Sequence, residues 1–339
     1  MKELLIKTAE LLERGEDAVI VTIIASSGST PRGSGARMTV GKNGRIYGTI
    51  GGGAVEYRSE KLALDALNAK NSYIHSFSLT RNDVEGLGMI CGGDVTVHFC
   101  YLSASGDGAR LARLGASLLD GNRDVWMLTD VSGGDGLFGF YTKERGFEGI
   151  PKMPDALSCF TRRPVLKELD GRGIYIEQIS SSGIVYVFGG GHVAQELVPV
   201  LTHVGFRCTV LDDRPEFVGE SLFPSALETR LVDFGDIFKS VQILENDYVV
   251  IMTRGHAFDY DVERQILSTP ARYIGVIGSA KKTAGINQKL LNDGFTLEQI
   301  QSRVTTPIGV SIGAETPAEI AISIAGQMIS VRAENRNAK

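Results

Sequence analysis

The chain contains 339 residues, a length typical of two domains, and its hydrophobic (43%) and charged (22%) fractions are those of a folded globular protein. This composition excludes a disordered chain, and a formal net charge of −5 argues against a protein that coats nucleic acid. No apolar run reaches the roughly 18 residues of a membrane-spanning helix, so we expect neither a nucleic-acid nor a membrane partner.

The predicted elements of the first 102 residues form one compact α/β unit. Leucines spaced among Lys and Glu predict a first helix, and the β-branched run 18–25 predicts a buried strand. Asn43-Gly44 is typical of a tight hairpin turn. The predictions in chain order are a helix at 2–14, a strand at 18–25, a polar loop at 26–35, hairpin strands at 36–40 and 45–50, a helix at 54–70, and strands at 72–79 and 94–102.

Residues 103–180 have weaker patterns and are predicted to extend this first domain. The predictions here are a helix at 109–119, a strand at 124–130 and a hairpin of 163–169 with 173–179. The serine-rich stretch 180–183 is the best candidate for a linker. The sequence therefore predicts an N-terminal α/β domain over residues 1–180, with its core at 1–102.

From residue 184 onward, predicted strands alternate with predicted helices, which is typical of a parallel sheet. The predicted strands are 184–188, 207–211, 230–232, 248–252 and 273–277. The predicted helices are 192–204, 235–243, 259–268 and 281–293, followed by a last helix that begins at Thr316-Pro317. We therefore predict an α/β fold in which residues 184–339 form a Rossmann-like, doubly wound parallel sheet.

A glycine triplet, Gly189, Gly190 and Gly191, lies between a predicted strand and a predicted helix, followed by His192. The spacing Gly-x-Gly-x-x-Ala in that context favours binding of a phosphate at the helix N-terminus. Asp212, at the end of the next strand, is placed to accept a hydrogen bond from a ribose hydroxyl. The alternative is that the glycines only permit close packing and the pocket holds nothing.

A second triplet, Gly51, Gly52 and Gly53, also separates a strand from a helix, and Glu56 follows it. The preceding loop supplies hydroxyl groups and a guanidinium, including Ser29 and Arg32, and these are groups that bind oxyanions. We interpret the two segments as a second anion-binding region. The alternative is that these glycines form only a turn.

The four cysteines are widely spaced and form no Cys-x-x-Cys pair, which excludes a local zinc or iron–sulfur framework. Cys91 is flanked by Gly88, Gly92 and Gly93, so a ligand can approach its thiol closely. The alternative is a small core residue. Since the N-terminus does not resemble a signal peptide, we expect reduced thiols and a cytoplasmic location.

Two polar clusters follow later strands of the predicted parallel sheet. Arg254 and His256 follow the strand at 248–252, and Ser279 follows the strand at 273–277. Ligands of open α/β sheets bind at the carboxyl ends of strands, so we expect these residues near the glycine triplet at 189–191. The alternative is that they are solvated loop residues.

Taken in order, these motifs resemble those of the xanthine dehydrogenase accessory factors, the XdhC/CoxI family. The N-terminal motifs are Gly28-Ser-Thr-Pro-Arg32, Gly35-Ala-Arg-Met38, Gly51-Gly-Gly-Ala-Val-Glu56 and Cys91-Gly-Gly93. The C-terminal motifs are Gly189–Ala194, Asp212-Asp-Arg-Pro215, Thr253-Arg-Gly-His256, Gly278-Ser279 and Ile312–Ala321. The sequence departs from the family pattern at Lys281-Lys282, where an arginine is expected, and at Val310-Ser311, where Leu-Asp is usual.

The resemblance implies a maturation factor that acts more as a cofactor-binding chaperone than as a catalyst. Such proteins bind molybdenum cofactor (molybdopterin), assist its sulfuration with a cysteine desulfurase and deliver it to a molybdenum hydroxylase such as xanthine dehydrogenase. The candidate cofactor-binding residues are Ser29, Arg32, Gly51, Gly52, Gly53, Glu56, Cys91, Gly189, Gly190, Gly191, His192, Asp212, Arg254, His256 and Ser279. Cys91 is also the candidate contact to molybdenum or sulfur.

Two other functions remain open at this point. The glycine motif also fits an NAD(P)-dependent oxidoreductase, although no second motif supplies an acid or base for hydride transfer. A scaffold whose nucleotide pocket has been lost is the third possibility. Ile320, Ile324 and Met328 of the last helix are spaced by four, so we expect one face of that helix to be buried. The apolar character of this helix also leads us to expect a homodimer.

Overall fold

The computed structural model describes residues 1–28, 32–78, 93–134, 136–254 and 256–337. Two of the candidate site residues, Ser29 and Cys91, lie outside these ranges. The chain divides into two compact units, Met1–Ser181 and Ser182–Lys339. Within the described ranges, no helix has the length and apolar character needed to cross a bilayer.

The first unit is a mixed α/β structure with mostly antiparallel strands. Its described helices are α1 (Lys2–Glu13), α2 (Gly53–Ala69) and α3 (Gly108–Leu118). Its described strands are β1 (Ala18–Gly28), β2 (Arg37–Gly41), β3 (Gly44–Thr49), β4 (Tyr73–Ser78), β5 (Gly93–Leu102), β6 (Val125–Asp130), β7 (Phe138–Thr142), β8 (Gly146–Glu148), β9 (Val165–Leu169) and β10 (Arg172–Ser180).

These strands form two five-stranded sheets, of order β3-β2-β1-β5-β4 and β8-β7-β6-β10-β9. Neighbouring strands are antiparallel throughout both sheets. In the first sheet, β1, β3 and β4 therefore end at the edge where β2 and β5 begin. The connections that follow Gly28, Thr49 and Ser78 all start from this one edge, and all of the predicted site residues of the first unit belong to them or to the start of α2.

The hydrophobic core of the first unit joins its two sheets. Helices α1 and α3 contribute apolar side chains to one cluster that also includes strands β1, β5, β6 and β7. Helix α2 packs against the first sheet in a separate cluster with β1, β2 and β5. Residues 103–180 are therefore part of the packing of the first sheet.

The structure of the first unit differs from the predictions in two places. Strand β1 continues to Gly28, three residues beyond its predicted end, because its last residues pair with the start of β5. Strands β7 and β8 are absent from the predictions. In β7, Phe138 and Phe140 alternate with Gly139 and not with a polar residue, because the backbone at the end of β8 occupies the space beside Gly139. The sequence therefore lacks the apolar–polar alternation by which a strand is usually predicted.

The second unit is the predicted Rossmann-like sheet. Its strands are β11 (Val185–Phe188), β12 (Cys208–Asp212), β13 (Glu228–Leu231), β14 (Tyr248–Ile251), β15 (Tyr273–Val276) and β16 (Val304–Thr305). Its described helices are α4 (His192–His203), α5 (His256–Ile266), α6 (Ala280–Asn292), α7 (Leu297–Arg303) and α8 (Pro317–Asn337). All strand pairs are parallel, in the order β13-β12-β11-β14-β15-β16.

Helices cover both faces of this sheet. Residues of α4 and α8 form one hydrophobic cluster with the strands, and residues of α5, α6 and α7 form another. Strands β12 and β14 lie on opposite sides of β11, so the chain direction across the sheet reverses beside β11. Ligands of open α/β sheets bind at such a reversal, outside the carboxyl ends of the strands.

One predicted helix is wrong. Residues 235–243 form only a short 3-10 turn at Ile237–Lys239, and residues 241–244 have no regular secondary structure. Val241 and Ile243 are two residues apart and both buried, a spacing that an extended segment satisfies and a helix does not. The structure also contains α7 and β16, which the sequence patterns do not indicate.

Candidate functional site

The first sheet brings three connecting segments of the first unit to one edge. Cross-strand pairing places Gly28 opposite Gly93, and Arg37 opposite Thr49. Ser29 directly follows Gly28 in the sequence, and Cys91 precedes Gly93 by two residues. The described residues that flank the two motifs are therefore neighbours, although Ser29 and Cys91 themselves lie outside the described ranges. Arg32 is exposed.

The glycine loop at Gly51–Gly53 is held by the carboxylate of Glu56, one helical turn further on. Glu56 Oε2 accepts hydrogen bonds from the amides of Ile50 (2.9 Å) and Gly52 (3.1 Å), and from the hydroxyl of Thr49. Its Oε1 accepts a hydrogen bond from Arg45. All three glycines have positive φ angles, which residues other than glycine rarely adopt.

Glu56 therefore has an internal role in this structure. Its side chain is buried, and burial raises its pKa, but the hydrogen bonds from Thr49, Gly52 and Ile50 together with the charge of Arg45 lower it overall. A carboxylate with its oxygens engaged in this way holds the loop in shape. The direct cofactor contact expected of Glu56 from the sequence stays a prediction.

Open space remains at the start of α2. Gly52 is the N-cap of this helix, and among the residues that the structure describes no side chain caps the helix there and no atom lies within 4 Å of a Cβ added to Gly52. A helix N-terminus without a side-chain cap leaves amide donors for an anion. The predicted anion site of the first unit is therefore reduced to the helix N-terminus and the neighbouring loop residues.

Arg37 points into the protein and not toward this loop. Its guanidinium forms an ion pair with Glu177 (Nη2 to Oε2, 2.6 Å) and donates to the carbonyl oxygen of Gly35 (3.2 Å). Gly35 has a φ of +93°, and a Cβ there would lie 2.2 Å from Glu177 Oε1, so another residue would be strained and would have to displace that carboxylate. Glu177 of β10 thus supports the end of the loop that contains Arg32, a role that no pattern in the sequence indicates.

His98 lies near this ion pair on β5. Its side chain is fully buried, and neither ring nitrogen has a hydrogen-bond partner among the residues that the structure describes. Burial lowers the pKa of His98 to about 4, with a smaller contribution of the same sign from Arg37 and an opposing one from Asp130. The imidazole is therefore neutral at physiological pH.

The second unit places its glycine triplet at the point where the chain direction reverses. Gly189 has a φ of +110°, and a Cβ there would lie 2.3 Å from the carbonyl oxygen of Met252. A Cβ on Gly190 would lie 2.2 Å from the carbonyl oxygen of Phe217. Gly191 differs, because it is the N-cap of α4 and, within the part of the chain that the structure describes, has no side-chain cap and no atom within 4 Å of an added Cβ. His192 is exposed beside it.

Asp212 lies against this loop but is fully engaged by other groups. Its Oδ2 accepts from the amide of Gly190 (2.7 Å) and from Arg214 Nη2 (3.0 Å). Its Oδ1 accepts from the amide (3.0 Å) and from Nε (2.9 Å) of Arg214. Burial raises the pKa of Asp212, but the hydrogen bonds from Arg214 and Gly190 outweigh it and lower the pKa overall.

Arg254 and Asp213 link the end of β14 to the end of β12. Arg254 Nη2 donates to Asp213 Oδ2 over 3.1 Å, and the Arg254 side chain is about half exposed (49%). His256 begins α5, as the order of the elements requires. Arg254 and His256 therefore both follow the carboxyl end of β14, the strand that pairs with β11.

The predicted residues of the turn after β15 have internal roles. The hydroxyl of Ser279 caps α6 by accepting from the amide of Lys282 (3.3 Å). Lys282 forms a buried ion pair with Asp259, whose other oxygen holds the amide and hydroxyl of Thr253. Glu263 is buried nearby, and burial, with a smaller contribution from Asp259, raises its pKa to about 7.

Two family profiles match the chain, one in each unit. The profile of the XdhC and CoxI family matches residues 11–78, and that of the XdhC Rossmann domain matches residues 185–328. The chain belongs to the XdhC and CoxI family. Glu177 and the rest of residues 79–184 lie outside both matches.

Individual relatives agree with this family assignment. The chain is 28% identical over 329 residues to a probable xanthine dehydrogenase subunit of Bacillus subtilis (strain 168), and the match covers 95% of both chains. It is 25% identical to "Uncharacterized protein YqeB" of Escherichia coli (strain K12), and the match covers 96% of this chain but 46% of that protein. A crystal structure from Bacillus halodurans, described as a xanthine dehydrogenase, shares the fold with a TM-score of 0.77 at 24% identity, over 97% of this chain and 96% of that one.

Proposed function

We propose that this protein is an accessory factor that binds molybdenum cofactor and assists its sulfuration and its insertion into a molybdenum hydroxylase such as xanthine dehydrogenase. Membership in the XdhC and CoxI family, with matches in both units, is the observation that carries the proposal. The name of the Bacillus subtilis relative supports an association with xanthine dehydrogenase-type enzymes. The cofactor is cargo in this role, so the protein binds and transfers it as a chaperone does.

The residues at both glycine loops are compatible with a ligand that carries a phosphate. Gly52 and Gly191 each form the N-cap of a helix without a side-chain cap, and each faces open space. A phosphate bound there would receive amide hydrogen bonds and the favourable end of the helix dipole. Gly189, Gly190 and His192 would form the remainder of the second site, with Arg254 at its rim.

For the first unit, we propose that Ser29, Arg32 and Cys91 contact the cofactor. Arg32 is exposed at the sheet edge where the described neighbours of Ser29 and Cys91 are paired. A guanidinium suits a phosphate oxygen, and a thiolate suits molybdenum or a sulfur centre. In this proposal Glu56, Asp212 and Ser279 hold the loops in shape, because their oxygens are engaged within the protein.

The state of Asp212 favours the accessory role over the alternative of an NAD(P)-dependent oxidoreductase. A dinucleotide-binding Rossmann fold uses the acid at the end of the second strand to bind the ribose hydroxyls. Here four hydrogen bonds from Arg214 and Gly190 occupy that carboxylate. A nicotinamide cofactor would have to displace Arg214 before its ribose could bind there.

The cysteine desulfurase and the homodimer are further parts of the proposal. Helix α8 exposes Ile322 and Ile329 on one side, and Val310 and Ile312 are exposed in the loop before it. An apolar surface that a second copy covers would explain this exposure. Light scattering of the purified protein checks this, with twice the chain mass of 36.5 kDa as the expected result.

The direct test is the identity of the ligand that copurifies with the protein. Protein purified without oxygen and then denatured is expected to release a pterin that becomes fluorescent on oxidation. Absence of pterin together with NADH binding and substrate-dependent turnover would favour the oxidoreductase instead. If the protein binds neither pterin nor NADH, the scaffold function is supported.

A further inference from the structure

The guanidinium of Arg214 covers the carboxylate of Asp212 in the second unit. Its guanidinium makes a two-pronged contact with the carboxylate, through Nε to Oδ1 (2.9 Å) and Nη2 to Oδ2 (3.0 Å). The guanidinium carbon also lies 3.7 Å from the ring centroid of Phe217, so the planar group stacks on an aromatic side chain. A forked and stacked arginine is held in one orientation far better than an arginine with a single contact.

The segment that carries Arg214 also closes the space beside the glycine loop. Phe217 presents its carbonyl oxygen 2.2 Å from the position that a Cβ on Gly190 would occupy. Asp212 is 1% exposed, so a hydroxyl group from a ligand has no direct access to it. Of the three loop glycines, Gly191 alone has no described atom within 4 Å of an added Cβ, and it lies on the helix side of the loop.

We propose that Arg214 is a specificity-determining residue that excludes ligands with a ribose diol next to the glycine loop. The site then accepts a terminal phosphate on a group that does not need Asp212, which describes the phosphate tail of a pterin cofactor and excludes NAD(H). This inference rests on the proposed function for the identity of the accepted ligand. The exclusion of the diol stands on the contacts of Arg214 alone.

Arg230 offers a matched comparison for Arg214. It lies on β13, the strand next to β12, and also binds a carboxylate, that of Glu228. Its contact with that carboxylate is a fork as well, through Nε to Oε1 (2.6 Å) and Nη2 to Oε2 (2.7 Å). Removing Arg230 takes away a positive charge and a forked contact from the same sheet but leaves Asp212 covered.

The experiment measures NADH binding to the full-length wild type, Arg214→Ala and Arg230→Ala by the change in NADH fluorescence. We expect the Arg214→Ala variant to bind NADH about tenfold to a hundredfold more tightly than the wild type, because Asp212 regains one or two acceptor positions for the ribose hydroxyls. The Arg230→Ala variant is expected to remain like the wild type. ADP-ribose, which contains the same diol, should compete with NADH.

Two results would overturn the inference. One is a wild type that already binds NADH as tightly as Arg214→Ala does. The other is an equal gain in both variants, since that would show a general effect of charge. If Arg214→Ala does not fold, Arg214→Lys replaces it, because lysine keeps the charge but cannot form the fork, and a smaller gain is then expected.

Pterin content, measured in the same preparations, separates this inference from the proposed function. NADH binding that appears only in the Arg214 variant supports the exclusion, whatever pterin the wild type contains. Wild-type protein that carries no pterin and binds no NADH would contradict the proposed function and leave the exclusion supported by the variant. Retention of pterin in Arg214→Ala would show that the phosphate position and the diol position are separate.

Discussion

The two glycine triplets have nearly the same sequence context and a similar plan, but they differ in where their supporting carboxylate comes from. Gly51–Gly53 is held by Glu56, which lies within the helix that the loop begins. Gly189–Gly191 is held by Asp212, which lies at the end of the neighbouring strand and is itself clamped by Arg214. The first loop is thus supported locally, and the second through the sheet.

This difference shows that a glycine loop between a strand and a helix is not by itself an empty anion site. In both units a carboxylate of the protein already accepts a hydrogen bond from the amide of the middle glycine of the triplet. The donors that remain lie at the helix N-terminus, beside Gly52 and Gly191. A ligand would therefore bind next to the loop glycines and not within their curve.

The largest expected effect concerns the local carboxylate of the first loop. Glu56→Ala removes the acceptor of two amides, a hydroxyl and Arg45, and buried donors without partners are costly. We expect a loss of about 3–5 kcal/mol in the free energy of unfolding, measured by urea denaturation of the first unit. Glu60→Ala is the control, since Glu60 also contacts Arg45 but is less buried, and it should cost under about 1 kcal/mol. Equal losses in both variants would mean that Glu56 acts only as a surface charge.

The next effect distinguishes the two units by their response to pH. The pKa of His98 is lowered from 6.5 to about 4, so the unfolded first unit binds more protons and its stability rises from pH 4 to 6.5. The pKa of Glu263 is raised from 4.5 to about 7, so the folded second unit binds more protons and its stability falls from pH 4.5 to 7. Each shift corresponds to roughly 3 kcal/mol, with opposite signs.

A single tryptophan makes this pH comparison measurable. Trp126 lies in β6 of the first unit, so its fluorescence reports only the unfolding of that unit. Hydrogen exchange of peptides from β14 reports the second unit. Glu263→Gln should flatten the pH slope of the second unit and leave the fluorescence transition unchanged. A slope of the same sign in both units would contradict the assignment.

A smaller effect separates the two helix N-caps. Gly191 has a φ of −68°, whereas Gly52 has a φ of +74°, and both face open space. Gly52→Ala should therefore cost about 1–2 kcal/mol of stability from backbone strain alone, while Gly191→Ala should cost under about 1 kcal/mol. The melting temperature of each variant measures this.

Ligand retention in the same pair of variants tests the second loop. Since the added methyl group at Gly191 occupies the space next to the helix N-terminus, Gly191→Ala should lose bound ligand while keeping its fold, and Gly191→Val should lose more. Full retention of pterin in Gly191→Val would place the ligand elsewhere.

The smallest expected change in stability concerns Cys91. Cys91→Ala should weaken retention of the molybdenum cofactor and leave the melting temperature nearly unchanged, because a ligand-contacting thiol contributes little to packing. Cys208→Ala is the comparison, since Cys208 is fully buried in the second unit and its loss leaves a cavity. If Cys91→Ala lowers the melting temperature as much as Cys208→Ala does and keeps the cofactor, then Cys91 is a core residue.

Sequence patterns are most informative where the structure is repetitive. Strands β11, β12, β14 and β15 of the second unit are buried on both faces, so they appear as short apolar runs such as 248–252, and the observed β14 agrees with that run. The glycine triplets lie at the predicted junctions for the same reason, since strand, turn and helix are adjacent in sequence. The helix predicted at 235–243 is wrong because the few apolar residues of this segment can be matched both to the spacing of a helix and to that of an extended chain.

Partners of side chains that are distant in the sequence cannot be predicted in this way. The pairing of Arg37 with Glu177 depends on the packing of two sheets, which no local pattern encodes. The two-pronged contact of Arg214 with Asp212 lies within the motif Asp212-Asp-Arg-Pro215. Residues two apart can make such a contact only in a particular turn, and the sequence does not specify that turn. Such contacts decide which predicted ligands, Asp212 and Glu56 among them, are engaged within the protein.

The core shared by α1, α3 and the two sheets of the first unit has a consequence for how this protein can be shortened. A fragment ending at residue 102 would retain the sequence matched by the family profile at 11–78 but would lose Glu177, leaving the guanidinium of Arg37 buried without its counterion. It would also expose Ile20, Cys100 and Leu102, which pack against residues of α3, β6 and β7. The evolutionary module and the smallest part able to fold therefore have different boundaries, and expression of the first half of this protein requires the intervening segment up to residue 181.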